Sequence, residues 1–448
     1  MADESFRCVT FQKLIDQGLL EVGDGYRAKN EELGGSGPLF LRAGHVTDTH
    51  IDFDGVERFH ASLADKVRAK MALPGDTIMT TKGNSTGRTS YVTERMPPFV
   101  YSPHLSYWRS RDAMQLANGF LRYWSRSSEF VRQLSGMKAS TDMAPYLSLT
   151  DQRRLRITLP PPSEQRAIAC ILGALDDKIE LNRRRNRTLE AMARAIFQSW
   201  FVDFEPVKAK AAGRTPLRLK PEIAALFPDA FEDSALGPIP KGWRVRNLAA
   251  ACEIIFSGGT PSTQAPAYWN GDIPWLSSGE TRSKFIIDTE KTITQAGIDN
   301  SSTRFARAGV TVIASAGQGN TRGQTSMLTI DSYINQSVVA LAARPDVSSD
   351  VHLFFDLERR YDQFRQVSDS HSSRGSLTTK LLAELFIVLP QHFVVGAFDG
   401  VVRPLVCSIT TNLHESRTLA ALRDALLPKL ISGELRVPDA ERIVARAV

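Results

Sequence analysis

The chain has few of the residues that build disulfides and metal centres. Four cysteines occur in 448 residues, and none has a C-x-x-C or Cys/His ligand spacing. Cys170 and Cys407 fall in apolar helical patterns, where we expect buried thiols. No segment approaches the ~20 apolar residues of a membrane span, and Met1–Phe11 lacks the basic and apolar regions of a secretory signal. These absences predict a reduced, cytoplasmic protein that binds no metal and no membrane.

Catalytic motifs are also lacking. Met96-Pro97-Pro98-Phe99 resembles the tetrapeptide of amino-methyltransferases, but Met96 has no oxygen to accept a hydrogen bond from the target amino group. Gly83–Thr89 is one residue short of a phosphate loop and has arginine in place of lysine. Asp229, Glu232 and Asp233 lie in a proline-rich segment, where exposed acidic residues are ordinary. The sequence therefore predicts no catalytic residues.

What the chain does contain is a repeat. Leu159–Trp200 and Leu389–Leu430 align without a gap at an offset of 230 residues. Apolar or asparagine residues recur in alternating steps of three and four in the first copy, and the second copy keeps the pattern except at Ser416 and Arg423. This is the heptad seam of a coiled coil. The predicted pairing positions are Leu172, Leu175, Ile179, Asn182, Leu189 and Ile196 in the first copy, and Val402, Leu405, Ile409, Asn412, Leu419 and Leu426 in the second.

The regions before these helices repeat as well. Leu73–Met79 leads to Gly83–Thr89, and Arg307–Ile313 leads to Gly319–Thr325, each as a strand, a glycine-punctuated turn and another strand. We call residues 1–162 the first head and residues 238–392 the second head. The other predicted segments are a central helix over 163–204, a proline-rich basic connection over 205–237, a C-terminal helix over 393–435 and a tail over 436–448.

Several segments resemble recurring phrases of type I restriction–modification specificity subunits, in the same order over nearly the whole chain. They are Asp24–Lys29, Leu159–Ile168, Leu172–Ile179, Asn182, Leu189–Arg194, Ser199–Phe204, Ile239–Trp243, Ser257–Pro261 and Leu426–Leu435. The first half departs from the family because it has no Pro-x-Gly-Trp opening, so we expect a shorter or differently built entry strand there. Arg423 also stands at a seam position where the first copy has Ala193, which puts helix pairing at that point in question.

The resemblance implies an α+β fold. Two target-recognition domains of mixed α/β structure would be separated by two long antiparallel coiled-coil helices, with an internal pseudo-twofold repeat. Each domain would read half of a bipartite, asymmetric site in double-stranded DNA. The helices would dock two methyltransferase subunits and, through them, restriction subunits. The chain would bind no cofactor itself, and S-adenosylmethionine, ATP and Mg would be expected on the partner subunits.

Candidate DNA contacts follow from side-chain chemistry within that framework. Glycine permits close backbone approach, while Asn, Gln and Arg carry the donors and acceptors that base edges require. The net charge of +6 favours an anionic partner only slightly. The predicted contacts are Lys82, Asn84, Arg88, Arg109, Arg111 and Arg126 in the first head, and Gln318, Asn320, Arg322 and Arg374 in the second.

Other interpretations stay open. The glycine loops also fit purely structural turns, and the aromatic–basic segments around Arg109 and Arg126 also fit core aromatics with solvated arginines. A two-headed protein–protein adaptor without DNA readout would have the same architecture. The sequence determines neither the recognised bases nor the spacer length. It also leaves open whether the assembled complex only methylates or also restricts.

Overall fold

The computed structural model describes residues 6–47, 50–139, 146–317, 319–371 and 376–446. The chain divides into two compact units. Unit 1 comprises Met1–Glu180 and Arg417–Val448, and unit 2 comprises Leu181–Ser416. Each unit therefore contains one head, part of the central helix and part of the C-terminal helix. This organisation of mixed helix and sheet around two long helices confirms the predicted fold class.

The N-terminal half is built from short strands and helices that precede one long helix. The strands are β1 (Arg7–Thr10), β2 (Leu20–Asp24), β3 (Leu39–Leu41), β4 (Thr77–Thr80), β5 (Thr89–Tyr91), β6 (Phe99–Tyr101), β7 (Leu105–Ser110) and β8 (Arg156–Leu159). The helices are α1 (Phe11–Asp16), α2 (Ala64–Val67), α3 (Asn118–Trp124), α4 (Ser128–Ala139), α5 (Leu149–Arg153) and α6 (Pro162–Phe197). The main sheet has the order β2-β7-β4-β5, with β3 and β6 paired separately.

An aromatic cluster forms the core of the first head. The Trp108 ring lies 5.0 Å from Phe11, 5.7 Å from Trp124 and 5.4 Å from Phe130. Its indole Nε1 donates to Gln152 Oε1 over 2.8 Å, so the polar edge of the buried ring is satisfied. This core packs against one side of the main sheet through Trp108 of β7 and Met79 of β4.

The second half continues α6 with a π-helical turn (Gln198–Val202). Its strands are β9 (Phe231–Glu232), β10 (Ile239–Pro240), β11 (Arg244–Asn247), β12 (Cys252–Ser257), β13 (Trp269–Leu276), β14 (Phe285–Ile286), β15 (Lys291–Ile293), β16 (Arg304–Ala306), β17 (Thr311–Ala314), β18 (Thr325–Leu328), β19 (Ser332–Ile334), β20 (Val338–Ala343) and β21 (Phe386–Leu389). Its helices are α7 (Glu205–Ala211), α8 (Pro221–Ala225), α9 (Leu248–Ala251), α10 (Gln295–Asp299), α11 (Asp350–Glu358), α12 (Tyr361–His371), α13 (Thr379–Glu384), α14 (His392–Ser432) and α15 (Val437–Ala445). The sheets have the orders β12-β20-β17-β18-β14 and β15-β13-β19-β16.

The two heads begin and end with the same strand pairing. β1 pairs antiparallel with β8, with Arg7 opposite Leu159. β11 pairs antiparallel with β21 in the same register, with Arg244 opposite Leu389. The paired part of the first entry strand is therefore neither shorter nor differently built than its counterpart, while the residues equivalent to the start of the Pro-x-Gly-Trp phrase lie outside the described residues. Backbone hydrogen bonds create this ladder, so the missing Pro-x-Gly-Trp phrase does not prevent it.

The proline-rich segment between the halves is more structured than predicted. α7 and α8 begin with Pro206 and Pro221 in their first turn, where a missing amide hydrogen costs nothing. Val207 and Phe227 are buried in the core of unit 2. The predicted tail likewise contains α15, whose Ala440 is buried in unit 1. These prolines start helices rather than exclude them.

The long helices carry the predicted seam residues into the cores of the units. In unit 1, Leu172 and Leu175 of α6 share a core with Leu419 and Leu426 of α14. In unit 2, Val402 and Ile409 of α14 are buried in the core. The seam residues Leu189, Ile196 and Leu405 are partly buried and pack against it. Ile179 packs against the core of unit 1.

Two expectations about these helices are wrong. Cys170 and Cys407 are exposed rather than buried, because a position two residues from a seam residue faces away from the seam. α14 also contains a window long and apolar enough, by length and composition alone, to cross a membrane, with 33% of that window buried. Its fully buried Val402 and Ile409 belong to the core of unit 2, and a core helix passes the same test.

Candidate nucleic-acid interface

A tight hairpin connects β4 to β5 at one edge of the first head. Gly83 and Gly87 have φ angles of 84° and 88°, a conformation that favours glycine. A Cβ atom on Gly87 would lie 2.1 Å from Leu134 Cδ2 of α4, whereas one on Gly83 would meet open space. Gly87 is therefore needed both for the turn and for the close approach of α4.

The second head builds the same hairpin between β17 and β18. Gly319 and Gly323 have φ angles of 60° and 87°. Gly87 N donates to Thr80 O over 2.8 Å, and Gly323 N donates to Ala314 O over 2.9 Å. The backbone of the turn is thus repeated, while the side chains that it presents differ between the heads.

Other loops meet the first hairpin. Thr81 N donates to His104 O over 2.9 Å, and the guanidinium of Arg88 donates to Val46 O over 3.0 Å. Lys82 forms an isolated bridge with Tyr146. Exposed side chains at this edge are Lys82, Asn84, His104 and Tyr146. The sequence analysis missed His104 and Tyr146, because only the folded chain brings these loops to the hairpin.

Arg109 does not belong to this exposed surface. Its Nε and Nη2 atoms donate to the two carboxylate oxygens of Asp76 over 2.7 and 2.6 Å. The Asp76 side chain is fully buried, and Tyr101 OH also donates to it over 2.6 Å. Burial alone would lower the pKa of Arg109, but the hydrogen bond and charge of Asp76 raise it above its ordinary value. The donors of Arg109 are used inside the head, and its role as a DNA contact stays a prediction.

Arg126 and Arg322 also lie beside carboxylates of the protein. Arg126 Nη1 lies 3.7 Å from Asp176 Oδ2, and burial lowers the pKa of this arginine. The Arg322 side chain is only 10% exposed and forms an ion pair with Asp369. Each guanidinium therefore has a carboxylate neighbour within the protein, and the predicted DNA contacts of both arginines stay predictions.

The remaining candidates are placed as follows. Arg111 is 56% exposed and paired with Glu21. Asn320 is exposed at the second hairpin, and its backbone oxygen accepts from Tyr361 OH over 2.9 Å. Arg365 donates to Gly319 O over 2.8 Å and brings a cation to the same turn. Gln318 and Arg374 lie outside the described residues.

The seam asparagines lie in unit 2. Asn182 is fully buried, and its Nδ2 donates to Glu415 Oε2 over 2.6 Å. Asn412 Nδ2 donates to Asn186 Oδ1 over 2.8 Å, and Asn186 Nδ2 donates to Ile409 O over 3.3 Å. As the residue number increases along α6, the residue number of its partner on α14 decreases. The two helices are therefore antiparallel within this unit.

Metal chemistry has no visible site in the part of the chain that the structure describes. Groups of three or more His, Cys, Asp or Glu side chains that could hold an ion are absent from it. Its most perturbed histidine, His352, is enclosed by Phe197, Phe201 and Phe398. Burial lowers the pKa of His352 to about 4, and Ser348 Oγ lies 2.9 Å from its Nδ1. The arrangement is that of a neutral core histidine.

Comparisons with known proteins agree on one family. A family model for the type I restriction modification DNA specificity domain matches residues 60–191. The HindI specificity subunit of Haemophilus influenzae is 25% identical over 352 residues, covering 69% of this chain and 75% of that protein. The MjaIX specificity subunit of Methanocaldococcus jannaschii is 25% identical over 318 residues, covering 70% of this chain and 67% of that protein.

A solved structure has a similar fold. The crystal structure of a type I restriction–modification S subunit from M. genitalium matches with a TM-score of 0.59 at 15% identity. The match covers 96% of this chain and 97% of that one. The likeness therefore extends over both heads and both long helices.

Proposed function

Because the chain belongs to the family of type I restriction–modification specificity subunits, we propose that each head reads one half of a bipartite, asymmetric DNA site. As a specificity subunit it recognises DNA sequence within a multisubunit complex and is non-catalytic alone. The observation that carries the two-part readout is the repeated hairpin. Its backbone is the same in both heads, and the amino-acid sequence differs between the copies at Lys82/Gln318 and Arg88/Gln324 while Asn84 and Asn320 are equivalent.

The chemistry of the hairpins supports this division of labour. Asn84 and Asn320 carry an amide that can donate and accept at once, which matches the edge of adenine in the major groove. Lys82 and Arg111 are cations suited to phosphate contacts, which position a protein without reading sequence. The two asparagines would let both heads contact an adenine, and the positions that differ, Lys82/Gln318 and Arg88/Gln324, would let the heads prefer different neighbouring bases.

The chain works together with other subunits and with DNA. We infer that two methyltransferase subunits dock on it, because α6 and α14 are duplicated elements and offer two related surfaces. Restriction subunits would join through the methyltransferases. S-adenosylmethionine, ATP and Mg would then bind on these partners, in the cytoplasm where the DNA target lies.

Exchange of one head tests the proposal. Residues 238–390 are replaced by the equivalent segment of a related subunit, and the variant is expressed with its methyltransferase partner. Mapping of methylated bases in the host genome should reveal a change in one half-site and the original sequence in the other. A change in both halves would show that the heads are coupled in readout.

The rival adaptor function predicts a different result. An adaptor without DNA readout would leave no methylation pattern that follows the exchanged head. It would also show no salt-dependent retention on duplex DNA. The variant Lys82→Gln/Asn84→Ala distinguishes the two functions. The proposed DNA readout predicts weaker retention of this variant on duplex DNA than of the wild type, whereas an adaptor function predicts no retention of either protein.

A further inference from the structure

Asp176 of α6 lies at the centre of a group of cations in unit 1. Its Oδ1 atom accepts a hydrogen bond from Arg423 Nη1 of α14 over 2.6 Å. Its Oδ2 atom accepts from Tyr123 OH over 2.9 Å and from the guanidinium of Arg122, both of α3. Arg126, just after α3, lies 3.7 Å away. We call these five residues the Asp176 cluster. One carboxylate thus joins the first head to both long helices.

The cluster is shielded from solvent. The Asp176 side chain is 9% exposed, and those of Arg122 and Arg423 are each 19% exposed. Burial by itself would raise the pKa of Asp176, but the charges of Arg122 and Arg423 outweigh it and leave the pKa below its ordinary value. Charge-assisted hydrogen bonds of this kind are strong and directional. A change in the angle between α3 and the long helices would break at least one of them.

The chain itself provides a comparison. At the repeat offset of 230 residues, Asp176 corresponds to Val406 and Arg423 corresponds to Ala193. Val406 and Ala193 are buried in the apolar core of unit 2, together with Phe355 and Phe398. The positions equivalent to Asp176 and Arg423 are therefore apolar in unit 2, where the second head instead contacts α6 through the more exposed ion pair of Arg194 with Glu358, over 3.0 Å. Apolar contacts are non-directional, whereas the Asp176 cluster constrains orientation.

We propose that the Asp176 cluster is a positioning device that fixes the angle at which the first head leaves α6 and α14, and thereby sets the half-site spacing that the protein accepts. This inference rests on the proposed recognition of a bipartite site. α6 and α14 each contain residues of both units, and the proposed bipartite readout is what links the orientation of the first head on these helices to the half-site spacing. Arg122, Arg126 and Arg423 act through Asp176 and need not touch DNA.

The decisive variant is Arg423→Met. It removes the bond from α14 but leaves Asp176 paired with Arg122 and Arg126, so no buried carboxylate loses all its partners. The complex with the methyltransferase partner is titrated with duplexes that hold both half-sites at the natural spacing or with one or two base pairs added or removed. Each added base pair rotates one half-site by about 35° relative to the other.

We expect affinity at the natural spacing to fall about tenfold, the equivalent of one charge-assisted hydrogen bond. Affinity at neighbouring spacings should fall less, so the preference for the natural spacing weakens while base preference in each half-site stays the same. Arg423→Lys keeps the ion pair but not the guanidinium geometry, and should give an intermediate preference.

Arg403→Met is the matched control. Arg403 also lies on α14, is 57% exposed and pairs over 2.6 Å with Asp399, which lies one turn away on the same helix. Its spacing profile should equal that of the wild type. An unchanged spacing preference in Arg423→Met, or an equal loss at every spacing, would overturn the inference. Failure of the wild-type complex to bind any bipartite site would instead overturn the proposed function.

Discussion

Asn412 Nδ2 donates a hydrogen bond to Asn186 Oδ1 over 2.8 Å, joining two side chains 226 residues apart in the sequence. Asn186 is buried and also donates to Ile409 O. A polar pair inside an apolar seam costs stability, but it disfavours every register in which either amide would lack a partner. The pair therefore selects one alignment of α6 and α14 within unit 2.

A double-mutant cycle on this pair tests its role. Asn186→Leu should lower the free energy of unfolding by about 1–3 kcal/mol, because the Asn412 amide loses its acceptor. The double variant Asn186→Leu/Asn412→Leu should recover most of that loss, since both polar partners are gone. Urea unfolding measures the four free energies. Additive losses would mean that the hydrogen bond contributes little.

Histidine burial predicts a pH dependence of stability. The pKa of His352 is lowered to about 4 in the fold, from an ordinary value of 6.5. Between these values the unfolded chain binds more protons than the native chain, so stability is full above pH 6.5 and falls as the pH drops towards 4. From pH 7 to pH 5 the loss should be about 2 kcal/mol from this group. Urea unfolding of wild type and His352→Leu at both pH values checks it, and an equal pH dependence in the two proteins would contradict the assignment.

Substitutions of Arg109 and Lys82 in the first head should have different effects: the first should lower stability, and the second should weaken DNA binding. Arg109→Met leaves the buried Asp76 carboxylate without its ion pair and should cost about 3–5 kcal/mol of stability. Lys82→Gln lies at the exposed hairpin and should change stability by less than about 0.5 kcal/mol. The same Lys82 variant should reduce the slope of log affinity against log salt by about 0.9, the value for one phosphate contact. Thermal unfolding and salt titrations of DNA binding distinguish the two residues, and an unchanged slope would remove Lys82 from the interface.

The hairpin glycines offer a matched pair of substitutions. Gly83→Ala and Gly87→Ala both place a Cβ in the left-handed region, at a cost of about 1–2 kcal/mol. Only Gly87→Ala also clashes with Leu134, which should add about 1–3 kcal/mol. The difference between their free energies of unfolding isolates the packing of α4 on the turn. Equal losses would show that Leu134 moves aside without cost.

Local patterns were enough to predict much of the architecture. The alternating steps of three and four place Leu172, Leu419 and Val402 on buried helix faces, because a helix repeats its surface every 3.6 residues. The glycines of the two hairpins indicated turns because few other residues adopt their backbone angles. The same local rules misjudged Pro206, since a proline that interrupts a helix interior is accepted in its first turn.

The roles of individual arginines were decided only by the tertiary structure. Arg109 and Arg111 are two residues apart and chemically identical, yet the first is committed to Asp76 and the second is more than half exposed. Asp76 lies 33 residues away from Arg109 in the sequence. It reaches that guanidinium because β4 pairs with β7 in the register that sets Thr77 opposite Trp108. Periodicity and turn chemistry act over a few residues and are legible in the sequence, whereas the partner of a charged side chain depends on strand register between distant segments.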